Sequence, residues 1–102
     1  MPPTSSELIS ALSHPLRRRI LSAYVDGVFQ WISAQELAEV MDLRVSQVAY
    51  HLKMLEKIQI LASIEGEHRW RPGEIYGGWI LRVEPEWLRL VLEVWTDLDV
   101  SR

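Results

Sequence analysis

Residues 33–57 contain two short helix-forming segments joined by only three residues, and this arrangement constrains the fold more than any other feature. Ser33-Ala34-Gln35-Glu36 has the spacing of a capping box, in which a serine and a glutamate satisfy backbone N–H groups at a helix start. The first helix is predicted to end near Met41, and the second runs from Val45 to about Lys57 with apolar residues at 45, 48, 52 and 55. Two helices joined by so short a turn predict a helix-turn-helix.

The segments on either side of residues 33–57 predict three further helices. Thr4-Ser5-Ser6-Glu7 is a second capping box and opens a short first helix. Pro15 suits the first position of a second helix, which runs to about Tyr24, because a missing N–H is harmless there. Pro85 opens the last helix, within residues 84–99.

Strand-like segments lie before and after the helix-turn-helix. Residues 29–32 predict one small strand, and the apolar residues of 58–64 and 75–83 predict a hairpin with a long, charged tip. Gly77-Gly78 is a candidate β-bulge in the return strand. The predicted fold is mainly α with a small β-hairpin. It is a winged helix-turn-helix of order α-α-(β)-α-α-β-β-α, in a single domain over residues 1–102.

Composition is that of a soluble globular protein. Of the 102 residues, 48% are apolar and 25% are charged, and the absence of cysteine excludes disulfides, thiolate metal sites and cysteine nucleophiles. The first ten residues, MPPTSSELIS, have neither the basic nor the apolar region of a secretory signal. No apolar run approaches the ~20 residues needed to cross a bilayer. We therefore predict a cytoplasmic protein without a membrane partner.

The last helix is too apolar for a helix that only covers its own domain. Eight of the twelve residues from Trp87 to Leu98 are apolar, whereas one apolar stripe suffices for packing on a small core. The surplus favours a homodimer joined through this helix; the alternative is a helix wrapped more deeply by its own chain. The predicted dimer contacts are Leu8, Leu12, Trp87, Val91, Val94, Trp95 and Leu98.

Three stretches of the chain together resemble a known family. ALSHPLRRRIL, ISAQELAEVMDL and VSQVAYHLKMLEK, in this order within residues 6–64, are similar to the ArsR-type winged-helix repressors of bacteria. That family has a proline-opened second helix and a recognition helix that ends in His-Leu-Lys. The resemblance implies a symmetric dimer, joined mainly by its first and last helices, on a pseudo-palindromic operator of double-stranded DNA. Its two recognition helices would meet successive major grooves about one helical turn apart.

The resemblance also implies which side of the helix over residues 45–57 faces DNA. Gln47 has an amide that can pair with adenine, Ser46 suits a base or a phosphate, and Tyr50 suits a thymine methyl or a phosphate. The alternative for each is a polar residue on a solvated helix face. Arg44 and Ala49 stand where the family often has serine or threonine, which leaves base specificity open. The predicted contacts are Arg44, Ser46, Gln47, Tyr50, Lys53 and His51, the last with an internal hydrogen bond as its alternative.

The wing and the second helix supply further cations. Arg69 and Arg71 flank Trp70 near the hairpin tip and are predicted to reach a phosphate or the minor groove; the alternative is a solvated hairpin. The arginines at 17–19 span about 200° of a helix, so not all can face one partner. We predict that one of them, Arg18, lies near DNA and that the other two are solvated.

The formal net charge of −3 does not exclude DNA binding, because the charges are unevenly distributed. Residues 1–33 hold three bases and two acids, residues 34–73 five bases and six acids, and residues 74–102 three bases and six acids. Counterion release depends on how many phosphates are neutralised locally and not on total charge. The acids of residues 84–99 are expected on the dimer side, away from DNA.

Metal sensing, catalysis and cofactor binding have no support in the sequence. His14, His51 and His68 lie in different elements without ligand spacing, and residues 36–42 lack the cysteines that many ArsR-type sensors use. No glycine-rich phosphate loop follows a strand, and no spacing suggests a nucleophile and its base. We predict no enzyme, no metal site and no cofactor.

Two functional alternatives stay open at this point. One is a winged-helix protein–protein interaction module, a regulatory adaptor or anti-repressor that does not bind DNA. The other keeps DNA binding and adds a small apolar effector in a pocket lined by Trp79, Trp87 and Trp95, residues that otherwise belong to the core.

Overall fold

The structure is a computed structural model that describes residues 3–67 and 71–100, with side chains through Thr96. Five α-helices and three β-strands lie in this described part of the chain. In order they are α1 (Ser5–Leu12), α2 (Pro15–Val25), β1 (Trp31–Ile32), α3 (Ala34–Met41), α4 (Val45–Lys57), β2 (Leu61–Glu67), β3 (Ile75–Leu81) and α5 (Pro85–Val100). The predicted fold class, a mainly α winged helix-turn-helix, is confirmed.

Local sequence signals set the starts of α1 and α3. The Glu7 N–H donates to Thr4 Oγ1 at 3.2 Å, and the Thr4 N–H donates to Glu7 Oε1 at 2.9 Å. Hydrogen bonds from the backbone and the side chain of Thr4 to the Glu7 carboxyl lower its pKa. Ser33 and Glu36 form the same pair of hydrogen bonds at α3, at 3.2 and 3.3 Å, and both side chains are buried. Both predicted capping boxes are present.

The turn between α3 and α4 depends on Asp42, whose backbone is left-handed with φ 55°. Aspartate tolerates this conformation better than most residues. It allows the Asp42 N–H to donate to the Glu39 carbonyl and the Leu43 N–H to the Ala38 carbonyl, at 3.3 and 2.9 Å. The chain can therefore enter α4 within three residues, as the sequence predicts.

The sheet has the order β1-β3-β2, with both pairings antiparallel. The pairing of β2 with β3 runs without a break from Leu61 opposite Leu81 to Glu67 opposite Ile75. The predicted bulge at Gly77-Gly78 is therefore wrong, because a bulge would place two residues opposite one.

Trp31 explains why two of the wing residues are glycine. Its ring lies against the sheet, where a Cβ at Gly66 would stand 2.6 Å from Trp31 Cε2 and a Cβ at Gly78 would stand 2.4 Å from it. Trp31 Nε1 donates to the Ile64 carbonyl at 2.9 Å, which fixes the indole in this position. The glycines thus make room for a side chain from β1.

A single cluster of buried residues connects the helices with the sheet. Full burial of each leucine or isoleucine contributes about 1.5–3 kcal/mol relative to exposure. Ala38, 2% exposed, belongs to this cluster on α3. The residues at 0% exposure include Ile20, Leu21, Ile32, Leu37, Val48, Leu52, Leu55, Ile60 and Leu88.

Within the described part of the chain, none of the helices combines the length and the apolar character that crossing a membrane requires.

Candidate nucleic-acid interface

The second helix of the helix-turn-helix, α4, has one buried side and one exposed side. Val48, Leu52 and Leu55 are 0% exposed and hold the helix against the core. Ser46, Tyr50 and Lys53 are exposed on the opposite side, within an arc of about 60° at 100° per residue. This side of α4 is therefore accessible to a partner.

The exposed side of α4 carries hydrogen-bonding groups that the described part of the chain does not engage. Gln47 flanks the arc, and Arg44 is the N-cap residue but makes no side-chain cap hydrogen bond. Tyr50 is 56% exposed and touches the His51 ring edge-on, with the centroids 5.3 Å apart. Among the described residues, no hydrogen bond or ion pair engages the side chains of Arg44, Ser46, Gln47 and Lys53.

His51 lies beside this surface but is only 5% exposed. Its Nδ1 accepts a hydrogen bond from Arg17 Nε at 3.0 Å. Burial, the Arg17 guanidinium and His14 all lower the pKa of His51, because each disfavours a second proton on the ring. The internal hydrogen bond, which the sequence offers as the alternative to DNA contact, is therefore present. Direct contact between His51 and DNA stays a prediction.

The arginines at 17–19 occupy three different environments. Arg17 is 6% exposed, so the prediction that it is solvated is wrong; it bridges α1 and α4 from α2. Arg18 donates to the Leu12 carbonyl at the end of α1, and its guanidinium lies 5.8 Å from the Trp95 ring centroid. A cation is favoured at a helix C-terminus and over an indole, which accounts for this position of Arg18. Contact between Arg18 and DNA stays a prediction.

The wing tip is described only in part, and Arg69 lies outside the described residues. Arg71 is exposed and donates from Nη1 to the Tyr76 hydroxyl at 3.3 Å. That hydroxyl in turn donates to Glu74 Oε2 at 2.5 Å. The hydrogen bond to Tyr76, with further contributions from Glu74 and Glu39, raises the pKa of Arg71. Acidic groups thus offset part of the positive charge that the wing would present to DNA.

Glu56 ties the wing to α4. Trp79 Nε1 on β3 donates to Glu56 Oε1 at 2.8 Å, and Ser63 Oγ on β2 donates to Oε2 at 3.3 Å. Because both strands bond one carboxylate near the end of α4, the wing and α4 hold a fixed relative position. Sequence reasoning missed this contact, since no motif or periodicity links Glu56 to a strand 23 residues further on.

An apolar groove of about 350 Å³ lies between α1 and α5, which we call the α1–α5 groove. Its exposed residues include Ile9 at 58%, Leu90 at 61% and Val94 at 58%. Leu12 is 1% exposed, so this predicted dimer contact belongs mainly to the core of its own chain. The side chain of Leu98 lies outside the described residues. The lining residues are Leu8, Ile9, Leu12, Trp87, Leu90, Val91, Val94 and Trp95.

Ile9 and Leu90 line the groove but are not among the dimer contacts predicted from the sequence. A signal for Leu90 exists, since residues 87, 90, 91 and 94 follow the three- and four-residue spacing of one helix face. Of the three tryptophans assigned to an effector pocket, Trp87 and Trp95 line this groove and Trp79 does not. Trp95 Nε1 is buried and has no hydrogen-bond partner among the described residues.

Side chains of the types that bind metal ions are dispersed over the described part of the molecule. Among the described residues, no three His, Asp or Glu side chains come together in a group that could hold a metal ion. The lack of metal sensing stays a prediction.

Comparison with known proteins gives a structural match but no match by sequence. No protein-family model matches the chain, and no curated protein matches it. A solved structure that carries the name possible transcriptional regulator, from Methanosarcina mazei Go1, is similar with a TM-score of 0.59 at 17% identity. The match covers 94% of this chain and 82% of that chain. At this identity the likeness bears on the fold, and it fits a mainly α winged helix-turn-helix.

Proposed function

We propose that this protein is a transcriptional regulator that binds double-stranded DNA through the exposed side of α4. The proposal is carried by one observation: this side presents Ser46, Gln47, Tyr50 and Lys53 to solvent while the opposite side is fully buried. Amide, hydroxyl and ammonium groups on a protruding helix can bond base edges and phosphates in the major groove. The Methanosarcina neighbour, whose name is possible transcriptional regulator, is consistent with such a role.

The charge distribution supports this orientation on DNA. Arg44, Lys53 and Lys57 are exposed on or beside α4, where phosphates would flank the recognition helix. Glu86 and Glu93 are exposed on α5, the helix that lines the α1–α5 groove. Each neutralised phosphate changes the logarithmic salt slope by about −0.9. The protein binds duplex DNA with a salt dependence set by these few cations and not by its net charge.

The functional unit in this proposal is a symmetric homodimer joined across the α1–α5 groove. Ile9, Leu90 and Val94 are more than half exposed there, and contiguous apolar surface of this kind marks an interaction site. A second copy would cover the groove and could offer an acceptor to Trp95 Nε1. Two copies would then present two α4 helices to successive major grooves of a pseudo-palindromic site.

The finer assignment is a cytoplasmic repressor of the ArsR type without the metal sites that many members use. It is supported by the three sequence stretches that resemble the family and by the dispersed metal-ligating residues of the described chain. No effector is assigned, and the protein has no catalytic role in this proposal.

Selection of bound sequences from random duplex DNA tests the proposal directly. We expect the wild-type protein to enrich one pseudo-palindromic motif, and Gln47→Ala and Tyr50→Ala to lose enrichment at specific positions. Loss of a bidentate base contact reduces discrimination by about 1–3 kcal/mol. Gln30→Ala is the matched control, since Gln30 is exposed but lies before β1, outside α4. Enrichment of the same motif by the α4 variants would contradict the assignment of base-reading residues.

A protein-binding winged helix is the second candidate, and the wing favours it. Arg71 is bonded to Tyr76, whose hydroxyl bonds Glu74, so an acidic group offsets part of the Arg71 charge at this part of the wing. Failure to retain any duplex at low salt would reject the DNA proposal and leave this candidate.

A further inference from the structure

Arg17 is a buried cation with no carboxylate partner among the described residues. Its side chain is 6% exposed, and within the described part of the chain it donates to two neutral acceptors, His51 Nδ1 at 3.0 Å and the Ser10 carbonyl at 3.5 Å. A buried charge is unfavourable unless strong hydrogen bonds compensate it. The Arg17–His51 hydrogen bond is the shorter of the two and joins residues 34 positions apart. Because burial of the Arg17 guanidinium is unfavourable without this hydrogen bond, it favours the arrangement of α2 and α4 in which Arg17 and His51 are bonded.

The direction of this hydrogen bond fixes the protonation of the His51 ring. Arg17 Nε carries a hydrogen at every physiological pH and can only donate. Nδ1 of His51 must therefore be an acceptor, which requires a neutral imidazole with its single proton on Nε2. A doubly protonated ring, or a ring protonated on Nδ1 alone, cannot accept from Arg17.

The surroundings of His51 agree with this state. His14, at the start of α2, packs against the ring with centroids 4.9 Å apart, and Tyr50 touches it from α4. Among the described residues, the titratable groups in contact with the ring are Arg17, His14 and Tyr50, and Glu7 of α1 lines a groove beside Arg17. Burial and the positive charge of Arg17 both disfavour a second proton on the ring and lower the pKa of His51.

Arg17 also links the two surfaces that the proposed function needs. It originates on α2, reaches α1 at Ser10, and reaches α4 at His51, one residue from Tyr50. Helix α1 lines the α1–α5 groove through Leu8 and Ile9. The guanidinium is therefore a direct contact between the proposed dimer element and the proposed recognition helix.

We propose that Arg17 is a positioning residue for the recognition helix: it holds His51 as the neutral Nε2–H tautomer and thereby fixes α4 relative to α1 and α2. The DNA-binding consequence rests on the proposed function, whereas the tautomer and its dependence on Arg17 do not. Protonation of His51 Nδ1 breaks the Arg17–His51 hydrogen bond. At acid pH, α4 and its residue Tyr50 are therefore held less firmly, and duplex binding weakens.

The first test is the tautomer of His51 in the free protein, measured by long-range ¹H–¹⁵N correlation on protein with ¹⁵N-labelled histidine. We expect an unprotonated Nδ1 and a protonated Nε2 in the wild type. Arg17→Lys keeps the charge but loses the planar Nε–H donor, so we expect a mixture of tautomers and a changed His51 titration. Arg19→Lys, the same substitution on an exposed arginine of α2, is the control and should leave the His51 signals unchanged.

A protonated Nδ1 in the wild type, or an unchanged His51 spectrum in folded Arg17→Lys, would overturn the proposal. If Arg17→Lys fails to fold, His51→Gln replaces it: the glutamine amide oxygen can accept from Arg17, and we expect retained folding without acid-dependent loosening. If neither variant folds, the two residues are needed for folding in general, and this outcome would also overturn the specific positioning role.

The second test measures duplex affinity from pH 8 to pH 5.5 on the sequence selected by the wild type. We expect Arg17→Lys to weaken duplex binding by about fivefold at pH 8, the effect of one lost hydrogen bond of ordinary strength. The control Arg19→Lys should weaken duplex binding by a smaller factor. The duplex affinity of the wild type should fall between pH 8 and pH 5.5, and that of His51→Gln should fall less over the same range. If the wild type binds no duplex at all, the proposed function fails while the tautomer measurement still decides the role of Arg17.

Discussion

The indole ring of Trp31 occupies the space that a side chain at Gly78 would need: a Cβ there would lie 2.4 Å from Trp31 Cε2. Trp31 belongs to β1 and Gly78 to β3, so the strand before the helix-turn-helix and the wing after it must fit each other. The wing therefore has a fixed base on the body of the protein, and residues 71–75, further from that base, are exposed.

Gly78→Ala should destabilise the protein, because its methyl group would collide with the ring of Trp31. Overpacking of this kind typically lowers the free energy of unfolding by about 1–3 kcal/mol. Gly77→Ala is the matched control, since nothing lies within 4 Å of a Cβ at that position. It should change stability by no more than about 0.5 kcal/mol. Urea unfolding followed by tryptophan fluorescence measures both, and equal effects would contradict the close packing of Trp31.

Val94→Glu should convert the proposed dimer to a monomer, because it places a charge in the apolar α1–α5 groove. Val28→Glu is a matched control: Val28 is 62% exposed and Val94 is 58% exposed, but Val28 lies outside the groove. Sedimentation equilibrium should give the monomer mass for the first variant and the dimer mass for the second. A wild-type protein that is monomeric at high concentration would reject the dimer altogether.

Arg44→Ser should stabilise the protein while weakening DNA binding. Arg44 has the extended backbone of an N-cap residue, with φ −73° and ψ 138°, but makes no cap hydrogen bond. A serine hydroxyl there can accept from the start of α4, which contributes about 1 kcal/mol to the free energy of unfolding. Loss of the cation should reduce the steepness of the salt dependence of duplex binding by about 0.9 per subunit.

Arg82→Ser is the control for that experiment, since it removes an exposed cation without supplying a helix cap. It should leave stability and the salt slope nearly unchanged. An Arg44→Ser variant that binds DNA as tightly and as salt-dependently as the wild type would remove Arg44 from the interface.

The stability of the protein should fall as the pH falls through the range below about 6.5, the ordinary pKa of histidine. Burial, Arg17 and His14 lower the pKa of His51 in the folded protein, so the unfolded chain binds a proton in a range where the folded chain does not. Stability therefore rises with pH across this window and is fully present above it. Urea unfolding at pH 8 and pH 5.5 measures the loss.

His51→Gln should remove most of this pH dependence, because glutamine does not titrate. Glu7 affects stability in a lower pH range. Its pKa is also lowered on folding, so its contribution to the free energy of unfolding is lost only as the pH falls below about 4.5. A pH dependence that survives unchanged in His51→Gln would show that another group is responsible.

The elements of the fold follow closely from short-range signals. The capping boxes at Thr4 and Ser33 and the proline at position 15 each act within one helical turn, so their effects can be predicted from adjacent residues. The boundaries of α3 and α4 agree with the predicted ones for the same reason. The apolar spacing of α4 also identifies its exposed side without knowledge of its partners.

The environments of individual long side chains do not follow from such signals. Arg17 and Arg18 are adjacent, equally charged and on one helix, yet one bonds buried His51 and the other lies against Trp95. Their environments depend on which elements pack beside α2, since α4 supplies the partner of Arg17 and α5 supplies the ring beside Arg18. The same holds for Glu56, whose partner Trp79 becomes a neighbour only when the wing folds back.

Where the helices begin and end, and which face of each is apolar, follows from the sequence alone, because hydrogen bonds at helix ends and side-chain periodicity act over three or four residues. Three other features arise only from packing in three dimensions: two wing glycines make room for Trp31, Arg17 is buried, and α1 and α5 leave an apolar groove between them. Those outcomes depend on contacts between residues far apart in the chain, and their geometry exists only once the core has formed.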